Sequence, residues 1–249
     1  MYLEEVTEMF DKLEKYQITL LALIISAGVV IAANTVTSSI SKNSISVTGS
    51  YSQNVTSDSG RLNFDLDSRE TTKPASYAVL NKNRPIVMKY LADKGFKEEE
   101  IEVKPISGYN SYKMMPNGSM SNDIAYYNAT QSISVKSSDV DKIKNVAEDI
   151  QNLNSKGIDI TVYPPSYFYS KLSDEKVKML EEATKDAKQR ASAMLKATHN
   201  HVGKIQSVKM GVFQITPVDS NEVSDMGISD TSSIEKKITS VANVTFSVK

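Results

Sequence analysis

Few residues in this chain have the types and spacing that chemistry requires. Its two histidines, His199 and His201, lie two positions apart, and no third metal ligand is near them in sequence. Structural and catalytic zinc sites use three or four protein ligands. A histidine cation is favoured at a helix C-terminus, so a structural role accounts for the pair. Cysteine is absent, which excludes disulfides, thiol catalysis and cysteine metal sites.

The acidic and serine-containing patterns also do not match known metal-binding or catalytic motifs. The acids of residues 219–230 do not have the spacing of a calcium-binding loop, because Val223 stands where a ligand is needed. The sequence has neither a Gly-x-Ser-x-Gly elbow nor a phosphate-binding glycine loop. Ser-x-x-Lys matches such as those at 39–42 and 173–176 lack their companion motifs. The sequence therefore predicts no catalytic residues, no metal ligands and no cofactor, hence a protein that is not an enzyme.

Aromatic residues around a proline pair remain as candidates for a functional surface. In strands such side chains usually pack on the sheet. Tyrosine is also enriched at protein interfaces and proline blunts a sheet edge, so a contact surface is the alternative interpretation. The cluster comprises Tyr163, Pro164, Pro165, Tyr167, Phe168 and Tyr169.

The composition limits the classes of partner. A chain of 249 residues is long enough to bury a substantial core. Its 29 basic and 30 acidic residues nearly balance, which argues against nucleic acid as a partner. The charges are unevenly distributed, because residues 1–17 carry five acids and two lysines whereas residues 18–41 carry no charge.

The uncharged segment predicts a single transmembrane anchor over residues 18–40. As a helix it would be roughly 35 Å long, against the ~30 Å of the hydrocarbon core. A cleaved signal peptide is the alternative, but it would require a basic segment before the apolar run, and the segment here is acidic. Lys12 and Lys15 precede the anchor and Lys42 follows it, which favours a cytoplasmic N-terminus and an extracytoplasmic remainder.

Residues 1–17 are predicted to form a short amphipathic helix. Four apolar residues have the 3-4-3 spacing of a self-association seam, although a plain extension of the membrane helix is the alternative. The seam predicts a homo-oligomer. Its residues are Leu3, Val6, Phe10 and Leu13.

Residues 42–249 alternate between strand and helix patterns in the order β-β-α-β-β-α-β-α-β-β. This order predicts an α+β, sandwich-like fold with a mostly antiparallel sheet and helices packed on one face. Polar, serine-rich residues 218–233 are predicted to be mobile. The predicted strands are 44–51, 61–69, 101–109, 125–136, 158–169, 204–216 and 237–248, and the predicted helices are 75–95, 138–157 and 173–201.

Local signals refine these elements. Pro85 predicts a kink or break in the first helix, and Pro164-Pro165 predicts an interruption of the fifth strand. Ser137 or Ser138 is expected to cap the second helix and Ser173 the third. Residues 113–123 are expected to form a polar loop. The buried stripe predicted for the third helix is Val177, Leu180, Ala183, Ala187, Ala191 and Leu195.

Four blocks of residues 42–249 carry a recognisable pattern: YNATQSISVKSSDVDKI, YPPSYFYSKL, EEATKDAKQRASAMLKAT and SVANVTFSV. They resemble the SIMPL-domain family, formerly a domain of unknown function that includes bacterial periplasmic immunogenic proteins. The resemblance covers roughly residues 42–249. It implies a secreted or membrane-anchored protein, in a family where some members are linked to oxidative-stress tolerance and some are thought to form rings. It implies no enzymatic activity and transfers no functional residues.

Two functions are expected from these observations. The first is a membrane-anchored extracytoplasmic SIMPL-like domain that self-assembles or holds partners in the cell envelope, with a link to stress tolerance. The alternative is an extracytoplasmic binding module for a small ligand or cell-wall component, whose identity the sequence does not give. An enzyme whose carboxylate pair forms only on folding is a third hypothesis, which no motif supports.

Overall fold

The computed structural model describes residues 2–40 and 43–249, with the side chains of residues 5–9, 16, 17, 19–33 and 43–249. The chain divides into two compact units. The first comprises Met1–Thr48, Ala187–Lys209 and Asn243–Lys249, and the second comprises Gly49–Asp186 and Met210–Ala242.

The N-terminal segment forms one uninterrupted helix, α1, from Tyr2 to Ile40. Within the part of the chain that the structure describes, no helix is long and apolar enough to cross a membrane. The predicted anchor includes Ile18 and residues 34–40, whose side chains lie outside the described set, and it stays a prediction. Of the predicted seam, Val6 is half-buried, and the side chains of Leu3, Phe10 and Leu13 lie outside the described set.

A six-stranded antiparallel sheet forms the centre of the second unit. Its order is β3-β5-β2-β6, with β4 also paired to β5 and β7 also paired to β2. The β2–β5 ladder runs without a slip from Gly60–Ser137 to Glu70–Tyr127, so their facing side chains keep one register. The strands are β2 Ser59–Glu70, β3 Ile101–Val103, β4 Ser107–Met114, β5 Met120–Ser137, β6 Ile160–Val162 and β7 Ser166–Phe168.

Two helices, α2 Lys73–Asp93 and α3 Val140–Asp149, pack against β2 and β5 of this sheet. Short 3₁₀ turns at Glu98–Glu100 and Ile150–Lys156 complete this layer. The sequence prediction of helices on one face of an antiparallel sheet is therefore confirmed for this unit. Fully buried members of the shared core are Leu62, Phe64, Leu66, Leu80, Val87, Leu91, Ile143 and Ile150.

The remaining strands form a second sheet in the order β1-β11-β9-β10, with β8 also paired to β11. β9 pairs antiparallel with β11 and parallel with β10. Helix α4, Leu172–Lys196, lies against this sheet in the second unit, where the Ser240 hydroxyl donates to the Met179 carbonyl at 2.9 Å. The strands are β1 Ser44–Thr56, β8 Val202–Met210, β9 Gln214–Pro217, β10 Ile228–Ser229 and β11 Glu235–Val248.

Three predicted helix features change. Helix α2 continues through the exposed Pro85, so the helix does not break there, and the kink stays a prediction. Helix α3 is capped by Asp139, whose carboxylate accepts from the Lys142 backbone N–H at 2.9 Å, and not by Ser137 or Ser138. Helix α4 begins at Leu172, so Ser173 lies inside its first turn.

The buried stripe of α4 is only partly as predicted. The three alanines and Leu195 are buried, but Val177 is 75% exposed and Met179 takes its place in the core. The stripe repeats every four residues from Met179, and Val177 lies two positions earlier, about 200° around the helix. The helix ends at Lys196 and not near His201, because His199 adopts a positive φ of 57°.

Three predicted strand and loop boundaries also change. Strand 101–109 is two strands, β3 and β4, on either side of Pro105, and strand 204–216 is likewise split into β8 and β9. The predicted loop 113–123 shortens to a hairpin turn at residues 115–119. The serine-rich segment 218–233 includes β10, and its Asp230 forms an ion pair with the buried Lys236. The interruption at Pro164-Pro165 is confirmed, since it separates β6 from β7.

Candidate functional site

The six-stranded sheet turns a polar face away from its helices. Side chains alternate across a strand, so the buried Leu62, Phe64 and Leu66 of β2 point to the helices and the residues between them point to the other side. Paired residues of neighbouring strands share a face. The pairs across this side of β2 and β5 are Arg61–Lys136, Asn63–Ser134, Asp65–Ser132 and Asp67–Thr130.

Strands on both flanks extend this polar face. On one side Glu102 pairs with Ser134, and the backbone N–H of Lys104 donates to the Ser132 carbonyl at 2.9 Å. On the other side the Tyr163 backbone N–H donates to the Asn63 carbonyl at 3.1 Å. The result is a shallow cavity of about 440 Å³. Its polar lining residues are Arg61, Asn63, Asp65, Glu102, Lys104, Ser132, Ser134 and Tyr163.

Hydrogen bonds fix part of the polar face. The Tyr163 hydroxyl donates to Asp65 Oδ2 at 2.8 Å, and this hydrogen bond to a carboxylate raises the pKa of Tyr163. Asp67 accepts from the Thr130 hydroxyl at 2.7 Å and from the Thr161 hydroxyl at 2.9 Å, so one carboxylate joins three strands. These contacts hold the backbone and the phenol ring in place before any ligand arrives.

Other side chains on the polar face have no protein partner within the described part of the chain. The Asn63 amide, the Glu102 carboxylate and the Lys104 ammonium make no hydrogen bond or ion pair there. The Arg61 guanidinium lies 5.8 Å from the centre of the Phe168 ring and has no acidic partner among the described residues. Donors and acceptors therefore face solvent side by side on a rigid sheet.

A second cavity, which we name the proline groove, lies between α3 and the β6–β7 connection. Its volume is about 640 Å³. Apolar side chains dominate its surface, and charged or amide groups occupy part of its edge. The lining residues are Lys144, Ala147, Glu148, Gln151, Val162, Tyr163, Pro164, Pro165, Tyr167, Ser232 and Ile234.

The predicted aromatic cluster is divided among three environments. Tyr163, Pro164, Pro165 and Tyr167 line the proline groove, and Tyr167 is also 4% exposed and part of the main core. Phe168 is exposed beneath Arg61. Tyr169 packs on the small core of Val55, Met179 and Ile238, and its burial raises the pKa of its hydroxyl. Packing thus explains Tyr167 and Tyr169, whereas Tyr163 and the prolines form surface.

The β4–β5 hairpin carries an apolar tip that the sequence analysis did not single out. Met114 pairs directly with Met120, and they are 74% and 71% exposed. Tyr112, also exposed, pairs with Ile124 in the same ladder. The Gly118 N–H donates to the Met115 carbonyl, and Gly118 has a φ of 84°, which forms a tight turn. We name Tyr112, Met114, Met120 and Ile124 the hairpin tip.

The two histidines lie in the first unit. His199 and His201 line a cavity of about 410 Å³ with Ser192, Lys196, Asn200 and Val202. The backbone N–H of His201 donates to the Lys249 carbonyl at 2.8 Å. Among the described residues, no three His, Asp or Glu side chains form a group that could hold a metal ion.

These features define a class of protein: an α+β domain with a helix-covered antiparallel sheet, an open polar face and an apolar groove. The model of SIMPL, a protein family of unknown function (DUF541), matches residues 45–248. The chain belongs to the SIMPL family, and the resemblance seen in the sequence is confirmed. A comparison with curated proteins finds no match.

Proposed function

We propose that this SIMPL protein is a membrane-anchored, extracytoplasmic protein of the cell envelope that self-assembles without acting as an enzyme. The observation that carries the proposal is the proline groove, an apolar recess of about 640 Å³ open to solvent. Apolar recesses with polar edges are typical of protein contact sites.

The residues of the proline groove fit an interface. Tyr163 is 46% exposed and the neighbouring Pro164 is also exposed, although both side chains are largely apolar. Lys144 and Glu148, one turn apart on α3, place opposite charges at the edge. This combination supplies apolar contact area at the centre and directional, charge-selective contacts around it.

The proposed occupant of the groove is the hairpin tip of a second copy. The tip is an exposed apolar element of the same chain, with two methionines whose flexible thioethers adapt to an irregular recess. A contact between two different surfaces of identical chains is heterologous, and it produces a ring if the rotation closes.

Membrane anchoring would favour this assembly. Residues 18–41 carry no charge, which supports the anchor on sequence grounds. Chains confined to one membrane surface meet at a raised effective concentration, so a weak contact suffices. Retention of the full chain in membranes after alkaline carbonate washing, with residues 43–249 digested by protease added from outside, would support the anchor and its orientation. Release by carbonate would contradict the anchor.

Native mass spectrometry of the full chain in detergent tests the self-assembly. Ala147→Glu places a charge inside the proline groove, whereas Asn145→Glu adds the same charge to an exposed position of the same helix. We expect oligomers for the unmodified chain and for Asn145→Glu, and monomers for Ala147→Glu and for Met114→Glu. A monomeric unmodified chain, or oligomers of unchanged size in both groove and tip variants, would contradict the proposal.

A second candidate function is supported by the unpaired polar groups of the polar face. It is a binding module for a small ligand or cell-wall component. A thermal-shift screen of the full chain in detergent against sugars, peptides, lipids and metal salts tests it. A stabilising compound whose effect is lost in Asn63→Ala supports this function, and silence across all four classes contradicts it.

A further inference from the structure

We infer that the polar face binds an acidic saccharide, a hydroxyl-rich ring compound that carries a carboxylate. This inference rests on the second candidate function, the binding module, and names its ligand class. Self-assembly through the proline groove concerns a different cavity, and the two cavities share the lining residue Tyr163.

The centre of the polar face matches the hydroxyl groups of a sugar. A sugar hydroxyl both donates and accepts, so its recognition needs donors and acceptors in close alternation. Asn63 supplies both, Glu102 accepts, and the Ser132 and Ser134 hydroxyls do either. Because these groups lie on adjacent, hydrogen-bonded strands, little backbone conformational entropy is lost when a ligand binds.

Tyr163 provides a platform at one edge of this centre. Its hydroxyl is held by Asp65 at 2.8 Å, and the residue remains 46% exposed. The face of an aromatic ring is electron-rich, and it attracts the weakly positive C–H groups that line one side of a pyranose ring. A fixed ring beside unfilled hydrogen-bonding groups therefore suits a sugar better than a free ion.

The cations of the polar face indicate that the sugar is acidic. Arg61 lies directly opposite Lys136 across the β2–β5 ladder, and like charges in such a pair are destabilising. Neither side chain has an acidic partner among the described residues. A bound carboxylate would offset this repulsion, and arginine binds a carboxylate through two parallel hydrogen bonds.

The acids of the same face limit the number of negative charges on the ligand. Asp65 and Glu102 line the cavity beside the cations. A phosphodiester chain, with a charge on every residue, would bring phosphates against these carboxylates. A saccharide with one carboxylate at the Arg61 end and hydroxyls elsewhere avoids that repulsion.

Isothermal titration calorimetry of the full chain in detergent tests the inference with two probes of equal length. One is a galacturonic acid disaccharide and the other is the neutral galactose disaccharide. We expect the acidic probe to bind at least about tenfold more tightly, the effect of one charge-assisted hydrogen bond. Arg61→Gln is expected to lower the affinity for the acidic probe to that for the neutral probe in the same variant, and Asn63→Ala is expected to weaken both probes. Lys113→Gln, which removes an exposed cation of the hairpin, is the control and is expected to change neither.

Each other outcome overturns a defined part of the inference. Equal binding of the two probes, or an unchanged preference in Arg61→Gln, overturns the acidic class. Binding of a peptide or lipid at Asn63 in the thermal-shift screen, with no binding of either disaccharide, overturns the saccharide but leaves the binding module standing. If Asn63→Ala loses the oligomers and the unmodified chain binds no saccharide, the polar face is a contact between copies. If neither disaccharide binds and no compound in the thermal-shift screen stabilises the chain, both the saccharide inference and the binding module are overturned.

Discussion

The two faces of strand β2 alternate along residues 61–66, and they have different roles. Leu62, Phe64 and Leu66 have no exposed surface and pack beneath α2 and α3. Arg61, Asn63 and Asp65 alternate with them and line the open cavity on the other side. The period of two in the sequence therefore separates stability from recognition residue by residue. A substitution at one position is expected to affect the fold, and at the next position to affect only the surface.

The largest expected effect tests the covered face. Phe64→Ala removes a fully buried aromatic side chain, and we expect a loss of about 3–5 kcal/mol in the free energy of unfolding. Asn63→Ala, one residue away on the open face, is expected to stay within about 0.5 kcal/mol of the unmodified chain. Urea unfolding monitored by circular dichroism measures both. Similar losses in the two variants would contradict the separation of the faces.

The second-largest effect is expected from a buried ion pair, in comparison with an exposed one. Lys236 is 1% exposed, and its ammonium bonds to the Asp230 carbonyl at 2.8 Å and to its carboxylate at 3.2 Å. Asp230→Ala leaves this ammonium buried without its counter-charge, and we expect a loss of about 3 kcal/mol. Glu181→Gln, which breaks the exposed pair with Lys185, is the control and is expected to cost little. Equal effects would show that burial does not govern the worth of an ion pair here.

The same pair gives the chain an acid dependence. Burial alone would raise the pKa of Asp230, but hydrogen bonds from Ser232, Ser233 and Lys236 hold that pKa well below its usual range. The stabilisation is therefore complete above the unfolded pKa of about 3.9 and is lost as the pH falls toward the folded pKa. The stability difference between the unmodified chain and Asp230→Ala should be constant from pH 7 to 5 and shrink below about pH 4. A difference that grows on acidification would contradict this sign.

A smaller effect is expected from crowding on the covered face. A Cβ added to Gly60 would lie 3.0 Å from Ile143 Cγ1 and 3.1 Å from its Cβ. We expect Gly60→Ala to destabilise the fold by about 1–2 kcal/mol, because the helix must shift outward. The double variant Gly60→Ala with Ile143→Val removes part of the clash and should recover part of the loss. Additive losses in the double variant would show that the two side chains do not meet.

The smallest effect is spectroscopic and belongs to the open face. The hydrogen bond from Tyr163 to Asp65 raises the pKa of the phenol, so its neutral form stabilises the fold below pH 10. That contribution is lost as the pH rises through the higher folded pKa. The absorbance difference between the unmodified chain and Tyr163→Phe reports the ionisation of this phenol, and it should titrate at a higher pH than an ordinary tyrosine does. Asp65→Asn should return that titration to the ordinary tyrosine range. If Asp65→Asn leaves the phenol titration unchanged, the result contradicts the hydrogen bond between Tyr163 and Asp65.

The sequence predicted the parts of the fold that depend on local pattern. The alternation in residues 61–67 places β2 and its covered face, and Gly157, with a φ of 77°, ends the α3 layer where Lys156-Gly157 predicts. The break at Pro85 and the cap of α3 were mispredicted because each outcome depends on solvent or on a competing neighbour, which a local rule does not contain. The phase of α4 depends on which side chain meets the sheet, and Met179 and Val177 are equally apolar in sequence.

The candidate site was less accessible to prediction, for a physical reason. The proline pair and Tyr163 are neighbours in sequence, so their cluster was visible before folding. The polar face combines Asn63, Glu102 and Ser134, which come from distant parts of the chain and meet only through strand register. The available signal was the polarity of Arg61, Asn63, Asp65 and Asp67, which marks an open face but does not reveal the strands that complete it.

The pairing of β1 with β11 has a consequence for folding during synthesis of the chain. The Ser46 and Thr245 hydroxyls bond at 2.8 Å although 199 residues separate them. At about 5–20 residues per second, β1 waits on the order of 10–40 s during synthesis before its partner exists. An unpaired strand of that kind invites pairing with a neighbouring nascent chain. Shielding residues 44–56 from other chains during this interval is therefore expected to raise the yield of folded protein.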